Sequence, residues 1–134
     1  MTRVKLAVDT NVLVRAVMRD HPAQSKAAAK LLTDAELIAI ALPCLCEFVW
    51  VLLRTYKLEA EDASAAIRAL LATQNVTLNR PAVDAGLAVL DAGGDFADGV
   101  IAFEGRWLGG ETFVSFDKQA VALLKAQGQQ TRLL

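Results

Sequence analysis

Between Leu37 and Leu53 the chain is almost unbrokenly apolar, and that run restricts the fold more than any other feature. It approaches the length that crosses a bilayer, but it contains Pro43 and Glu47, and a bare carboxylate at mid-bilayer is costly. No membrane span is expected. Two buried elements broken at Pro43 explain the run better. Residues 37–42 read as a strand covered on both faces, as strands of parallel sheets are. Pro43 suits the first turn of a helix that continues to about residue 56.

The same alternation runs through the rest of the chain. Residues 4–8 form a short strand-like run that ends in Asp9-Thr10-Asn11, residue types that cap helices, and Val12, Val14 and Val17 follow at helical spacing. Asp20-His21-Pro22 breaks that helix, and residues 23–33 are an alanine-rich second one. Further helices are expected over 62–72, 81–92, 96–108 with Asp95 as N-cap, and 118–127, with strands over 76–78, 112–116 and 131–134. Strands alternating with helices define an α/β fold with a mainly parallel central sheet and helices on both faces. No linker, repeat or low-complexity tract interrupts it, so residues 1–134 read as a single domain.

The formal net charge is −1, so the totals show no basic footprint for nucleic acid. Cys44 and Cys46 are the only cysteines. They form no zinc framework and read as small buried hydrophobes of a cytoplasmic protein. The N-terminal Met1-Thr2-Arg3 leads straight into the first strand, which leaves no room for a signal peptide.

The acids carry the chemistry. In parallel α/β folds ligands bind beyond the carboxyl ends of the strands. Asp9 and Asp117 each follow a strand, although either has a simpler explanation as a helix N-cap. Glu47 is the only charge in its apolar run. Beside Cys44, Phe48 and Val51 it is expected to be shielded, in need of a cation or donors, unless it faces solvent or pairs with Arg15 or Arg54. Asp95 and Asp98, three residues apart, share one face at a helix start, where acids also complement the helix dipole. Carboxylates gathered at one place raise one another's pKa. A hard cation relieves that repulsion, and Mg²⁺ or Mn²⁺, as one ion or two, matches an all-carboxylate set. Zinc does not, because His21, the only histidine, sits beside Pro22 as a surface residue.

Asp9-Thr10-Asn11-Val12-Leu13-Val14-Arg15, the lone Glu47, Asp95-Phe96-Ala97-Asp98-Gly99-Val100-Ile101-Ala102 and Ser115-Phe116-Asp117-Lys118 together resemble the PIN-domain family. Within it they resemble most the VapC toxins of type II toxin–antitoxin modules. The resemblance covers essentially the whole chain. It implies a three-layer α/β/α fold, Mg²⁺-dependent endoribonuclease activity, inhibition by a VapB-like antitoxin and a homodimer. Asp9, Glu47, Asp98 and Asp117 are then the catalytic, metal-holding acids. Asp95 is an additional acid, Ser115 the hydroxyl before the last acid, and Asn11 an accessory residue. Gly99 stands where the family has a small residue.

Setting aside those five acids leaves 10 of the 15 against 14 Lys and Arg, a remainder of +4 that can meet phosphate. Arg15, Arg19, Arg80 and Arg106 are the candidates for RNA backbone contacts. Two other readings stand beside this one: a PIN nuclease of RNA processing outside toxin modules, and a non-catalytic binding module whose acids are caps and ion-pair partners. A haloacid-dehalogenase-like phosphatase is disfavoured because Asn11 replaces the second acid of its Asp-x-Asp.

Overall fold

The computed structural model describes residues 4–134; Met1-Thr2-Arg3, part of the segment read as leading into the first strand, lies outside the described residues. Two compact units divide the chain, one ending at Asn79 and the other running from Arg80 to Leu134. The first contains β1 (Lys5–Ala7), α1 (Thr10–Met18), α2 (Pro22–Asp34), β2 (Leu37–Ala39), α3 (Leu42–Arg54), α4 (Ala60–Leu71) and β3 (Val76–Thr77). The second contains α5 (Arg80–Asp91), α6 (Phe96–Trp107), β4 (Phe113–Ser115), α7 (Lys118–Ala126) and β5 (Thr131–Leu133).

In the first unit the strand order is β1-β2-β3, and both ladders are parallel, with Ala7 opposite Ala39 and Ala39 opposite Thr77. The apolar run of residues 37–42 thus supplies the central strand, with Ile38 fully buried. The strand is shorter than expected. Pro43 stands at the start of α3 and draws Leu42 into the helix, since its fixed φ is already helical. The thirteen residues of α3 span about 20 Å at ~1.5 Å per residue, and no helix among the described residues is long and apolar enough to cross a membrane. Its Leu45, Phe48, Val49 and Leu52 are buried, as are Leu13 and Val14 of α1 and Ala63 and Ile67 of α4. Asn75 closes α2 from outside the helix: its Nδ2 donates to the carbonyls of Leu32 (2.9 Å) and Ala35 (3.0 Å), acceptors that the helix end leaves unpaired.

In the second unit β4 and β5 pair in parallel, Val114 opposite Arg132. Val89, Ala102 and Leu124 form a core cluster with Phe113 and Leu123 packed against it. The contact between α5 and α6 is close because it is made of glycine. A Cβ on Gly99 would meet the Ala85 carbonyl and stand 2.8 Å from the Gly86 Cα, and a Cβ on Gly86 would lie 2.6 Å from the Phe96 ring. The small residue at position 99 is therefore required by helix packing. All strand pairs among the described residues are parallel, and the fold class is the three-layer α/β/α one read from the sequence.

Candidate functional site

In the first unit, β1 and β2 end level with each other, and α1 and α3 start just beyond that edge. Asp9 is extended and caps α1, its Oδ1 accepting from the Val12 N–H at 3.2 Å. Thr10 beside it is buried. Cys44, in the first turn of α3, is half-buried and free of any disulfide. Burial pushes its thiol pKa up, and the negative charges of Asp9 and Glu47 push it further, while a side-chain hydrogen bond with Thr10 works the other way. Cys44 thus lies within the field of two of the expected site acids. The sequence reading placed it in the core and passed over Thr10. The spacing of three between Cys44 and Glu47, which puts both on one helix face, was the available signal.

Glu47 is exposed, not shielded among apolar side chains as expected. Along α3 the exposed residues are Pro43, Glu47, Trp50 and Arg54, a solvent stripe at helical period. Phe48 is adjacent in sequence but turned about 100° away around the axis. Among the described residues Glu47 forms no ion pair with Arg15 or Arg54. Arg15 is engaged elsewhere: its Nε donates to Gln24 Oε1 (2.7 Å), and its Nη1 donates to Tyr56 Oη (3.1 Å) and Asp20 Oδ1 (3.3 Å). Tyr56 Oη in turn donates to Asp20 Oδ2 at 2.8 Å. That bond, before the Arg15 charge, holds the Asp20 carboxyl below its ordinary pKa. Arg19 is exposed and ends α1 in the left-handed region, φ 55°, while Asn11 is exposed on α1. His21 does more than sit at the surface: its Nδ1 caps α2 by accepting from the Gln24 N–H at 3.2 Å.

In the second unit, Asp95 caps α6, Oδ1 accepting from the Ala97 N–H at 3.1 Å. Asp117 caps α7, Oδ1 accepting from the N–H groups of Gln119 (2.9 Å) and Ala120 (3.2 Å). Ser115 Oγ accepts from the Asp117 N–H at 2.9 Å, so the hydroxyl before the last acid orients that acid. Asp98, half-buried in the first turn of α6, has its carboxyl pKa pushed up by burial and then by the charges of Asp95 and Asp117. The charges of Asp95 and Asp117 therefore both reach Asp98.

The simpler explanation holds for Asp9, Asp95 and Asp117: each is a helix N-cap. Capping occupies only Oδ1, and the second oxygen of each makes no hydrogen bond or ion pair among the described residues. Within either unit, no group of three or more His, Cys, Asp or Glu among the described residues is placed to hold a metal ion. The charges of Asp9 and Glu47 thus reach Cys44, and those of Asp95 and Asp117 reach Asp98, without a closed coordination sphere among the described residues. A Mg²⁺ ion fits such donors, because it keeps several waters and takes only one or two carboxylates directly. Asp98 is raised first by burial and then by the two neighbouring negative charges, and a cation would relieve the second of these.

Residues 6–123 match the model of the PIN domain, and the chain belongs to the PIN-domain family. A search of curated proteins finds no match.

Proposed function

We propose that the chain is a Mg²⁺-dependent endoribonuclease, working as one domain, in which Asp9, Glu47, Asp98 and Asp117 hold the metal and Asp95 assists. The observation that carries this reading is Asp98: a half-buried carboxyl, raised first by burial and then by the charges of Asp95 and Asp117, is costly to the fold and useful to a cation. When bound, the metal lowers the pKa of water and neutralises charge on the phosphate. The chain's own residues supply the platform. The caps at Asp9, Asp95 and Asp117 fix Oδ1 to backbone and leave Oδ2 directed by a rigid turn, so little order has to be created on binding. Ser115 holds the Asp117 backbone, and the Arg15–Asp20–Tyr56 network ties α1 to the end of α3.

Asn substitutions separate structure from chemistry, because Asn caps as well as Asp but carries no charge. Asp9→Asn, Asp98→Asn and Asp117→Asn are expected to fold as the wild type does and to lose Mg²⁺-dependent, EDTA-sensitive RNA cleavage by about 100-fold or more. The alternative, acids serving only as caps, is favoured by the four capping bonds of Asp9, Asp95 and Asp117. It is the correct one if the Asn variants cleave as the wild type does, or if none of the proteins cleaves RNA.

The finer reading is a VapC-like toxin in the cytoplasm, homodimeric and silenced by a VapB-like antitoxin. The motif order supports it, and so does the exposed apolar surface at Trp50. A small antitoxin gene immediately upstream, whose product co-purifies with the chain and suppresses cleavage, is expected. Its absence favours the PIN nuclease of RNA processing.

A further inference from the structure

Phe116 is 80% exposed, an unusual placement for a ring that would bury a large apolar area in a core. Nothing in the packing of its unit requires it there, since Phe113, on the strand that ends just before Phe116, supplies the aromatic contact to the core cluster. Its backbone is also not loose. On one side Ser115 Oγ accepts from the Asp117 N–H, and on the other Asp117 Oδ1 holds the first turn of α7. The ring is therefore displayed on a pinned turn, one residue from an acid that acts on Asp98 and two from the exposed Lys118.

Trp107 and Leu108 are as exposed, at 82% and 84%, but they lie at the far end of α6, about 14 Å along the axis from Asp98 at ~1.5 Å per residue. Phe116 combines an open aromatic face with the acids around Asp98 and a neighbouring cation, Lys118. Sites for single-stranded nucleic acid are built this way, with a π-face for the base and a positive charge for the phosphate.

We infer that Phe116 is a stacking platform for one unpaired nucleobase of the RNA held at this site, with Lys118 facing the adjoining phosphate; the inference rests on the ribonuclease reading above. A base within a duplex is already stacked on both faces, so the platform selects unpaired segments.

The test uses the full chain with Asp98→Asn to silence cleavage. Binding of a fluorescent oligoadenylate and of a blunt RNA duplex is measured in Mg²⁺ for this protein and for added Phe116→Ala, Phe116→Trp and Trp107→Ala. Phe116→Ala is expected to weaken single-strand binding by about 5- to 100-fold, leaving duplex binding, the salt slope and the thermal melt unchanged. Phe116→Trp restores the affinity and its added fluorescence changes on binding; Trp107→Ala has no effect. Equal single-strand affinity of Phe116→Ala and its parent, or equal losses on both RNAs, overturns the inference. So does a Phe116→Trp protein that fails to bind. A Phe116→Ala effect confined to the dimer–monomer balance assigns the ring to self-association and also overturns it. If the wild type cleaves RNA while Phe116→Ala binds and cleaves normally, the stacking role alone falls. If the wild type neither binds nor cleaves RNA, both readings fall.

Discussion

Replacing Gly99 by alanine sets two opposed effects against each other on one helix. Alanine is favoured over glycine in a helix interior by about 1 kcal/mol, so an unobstructed site gains stability. At Gly99 the new methyl would land on the Ala85 carbonyl and 2.8 Å from the Gly86 Cα, where carbon atoms sit at about 3.5 Å or more. The obstacles are backbone atoms of α5, which cannot rotate aside, so α6 has to move away by about 0.5–1 Å. Overpacking of this kind costs about 1–3 kcal/mol and belongs at the upper end here. The net expectation is a loss of about 1–2 kcal/mol. Gly105 lies on the same helix with nothing within 4 Å of its would-be Cβ, and Gly105→Ala is expected to gain about 0.5–1 kcal/mol. Urea unfolding of both variants reads the difference as midpoints displaced in opposite directions, by roughly 0.5–1 M for Gly99→Ala with a slope of about 2 kcal/mol/M. Because Asp98 adjoins Gly99, RNA cleavage should fall in Gly99→Ala and not in Gly105→Ala. Two variants shifted in the same direction would refute the reasoning, since it would mean that α5 and α6 do not depend on glycine for their approach.

Further expectations follow from the charges. In EDTA, folded Asp98 keeps its proton above the ordinary carboxyl pKa of 3.8, so the native state binds more protons than the unfolded one and stability falls as pH rises through that window. Asp98→Asn should flatten that fall and be the more stable protein at neutral pH, as urea midpoints from about pH 4 to 7 would show. Asp20 has the opposite sign: its depressed carboxyl contributes stability above 3.8 that is lost as pH falls through the lower folded value. Tyr56→Phe should therefore lower the urea midpoint at neutral pH and do so progressively less in acid. The Cys44 thiol, raised by burial and by Asp9 and Glu47, should alkylate slowly in a Cys46→Ser background. Mg²⁺ should accelerate the reaction by cancelling the two negative charges, and mass spectrometry showing no Mg²⁺ effect would argue against a metal beside Asp9 and Glu47.

Much of this protein was legible locally. The run of residues 37–53 read as strand, proline and helix because each property depends on neighbours in the chain: a covered strand is apolar throughout, and Pro43 presets φ. The caps at Asp9, Asp95 and Asp117 were legible for the same reason, since a cap bonds an N–H two or three residues ahead. Glu47 shows the limit. Its apolar neighbours suggested shielding, but a helix turns about 100° per residue, and only the packing of Phe48 and Val49 decides which stripe faces outward.

The sequence by itself determined the α/β alternation, the family and the helix caps at Asp9, Asp95 and Asp117. Tertiary structure alone decided that Cys44 meets Thr10 within the field of Asp9 and Glu47, that Tyr56 locks Arg15 across 41 residues, and that Gly99 lets two helices touch. Those contacts depend on how far apart packed elements come to rest, a distance set by the volumes of side chains remote in sequence and by no periodicity within a single segment.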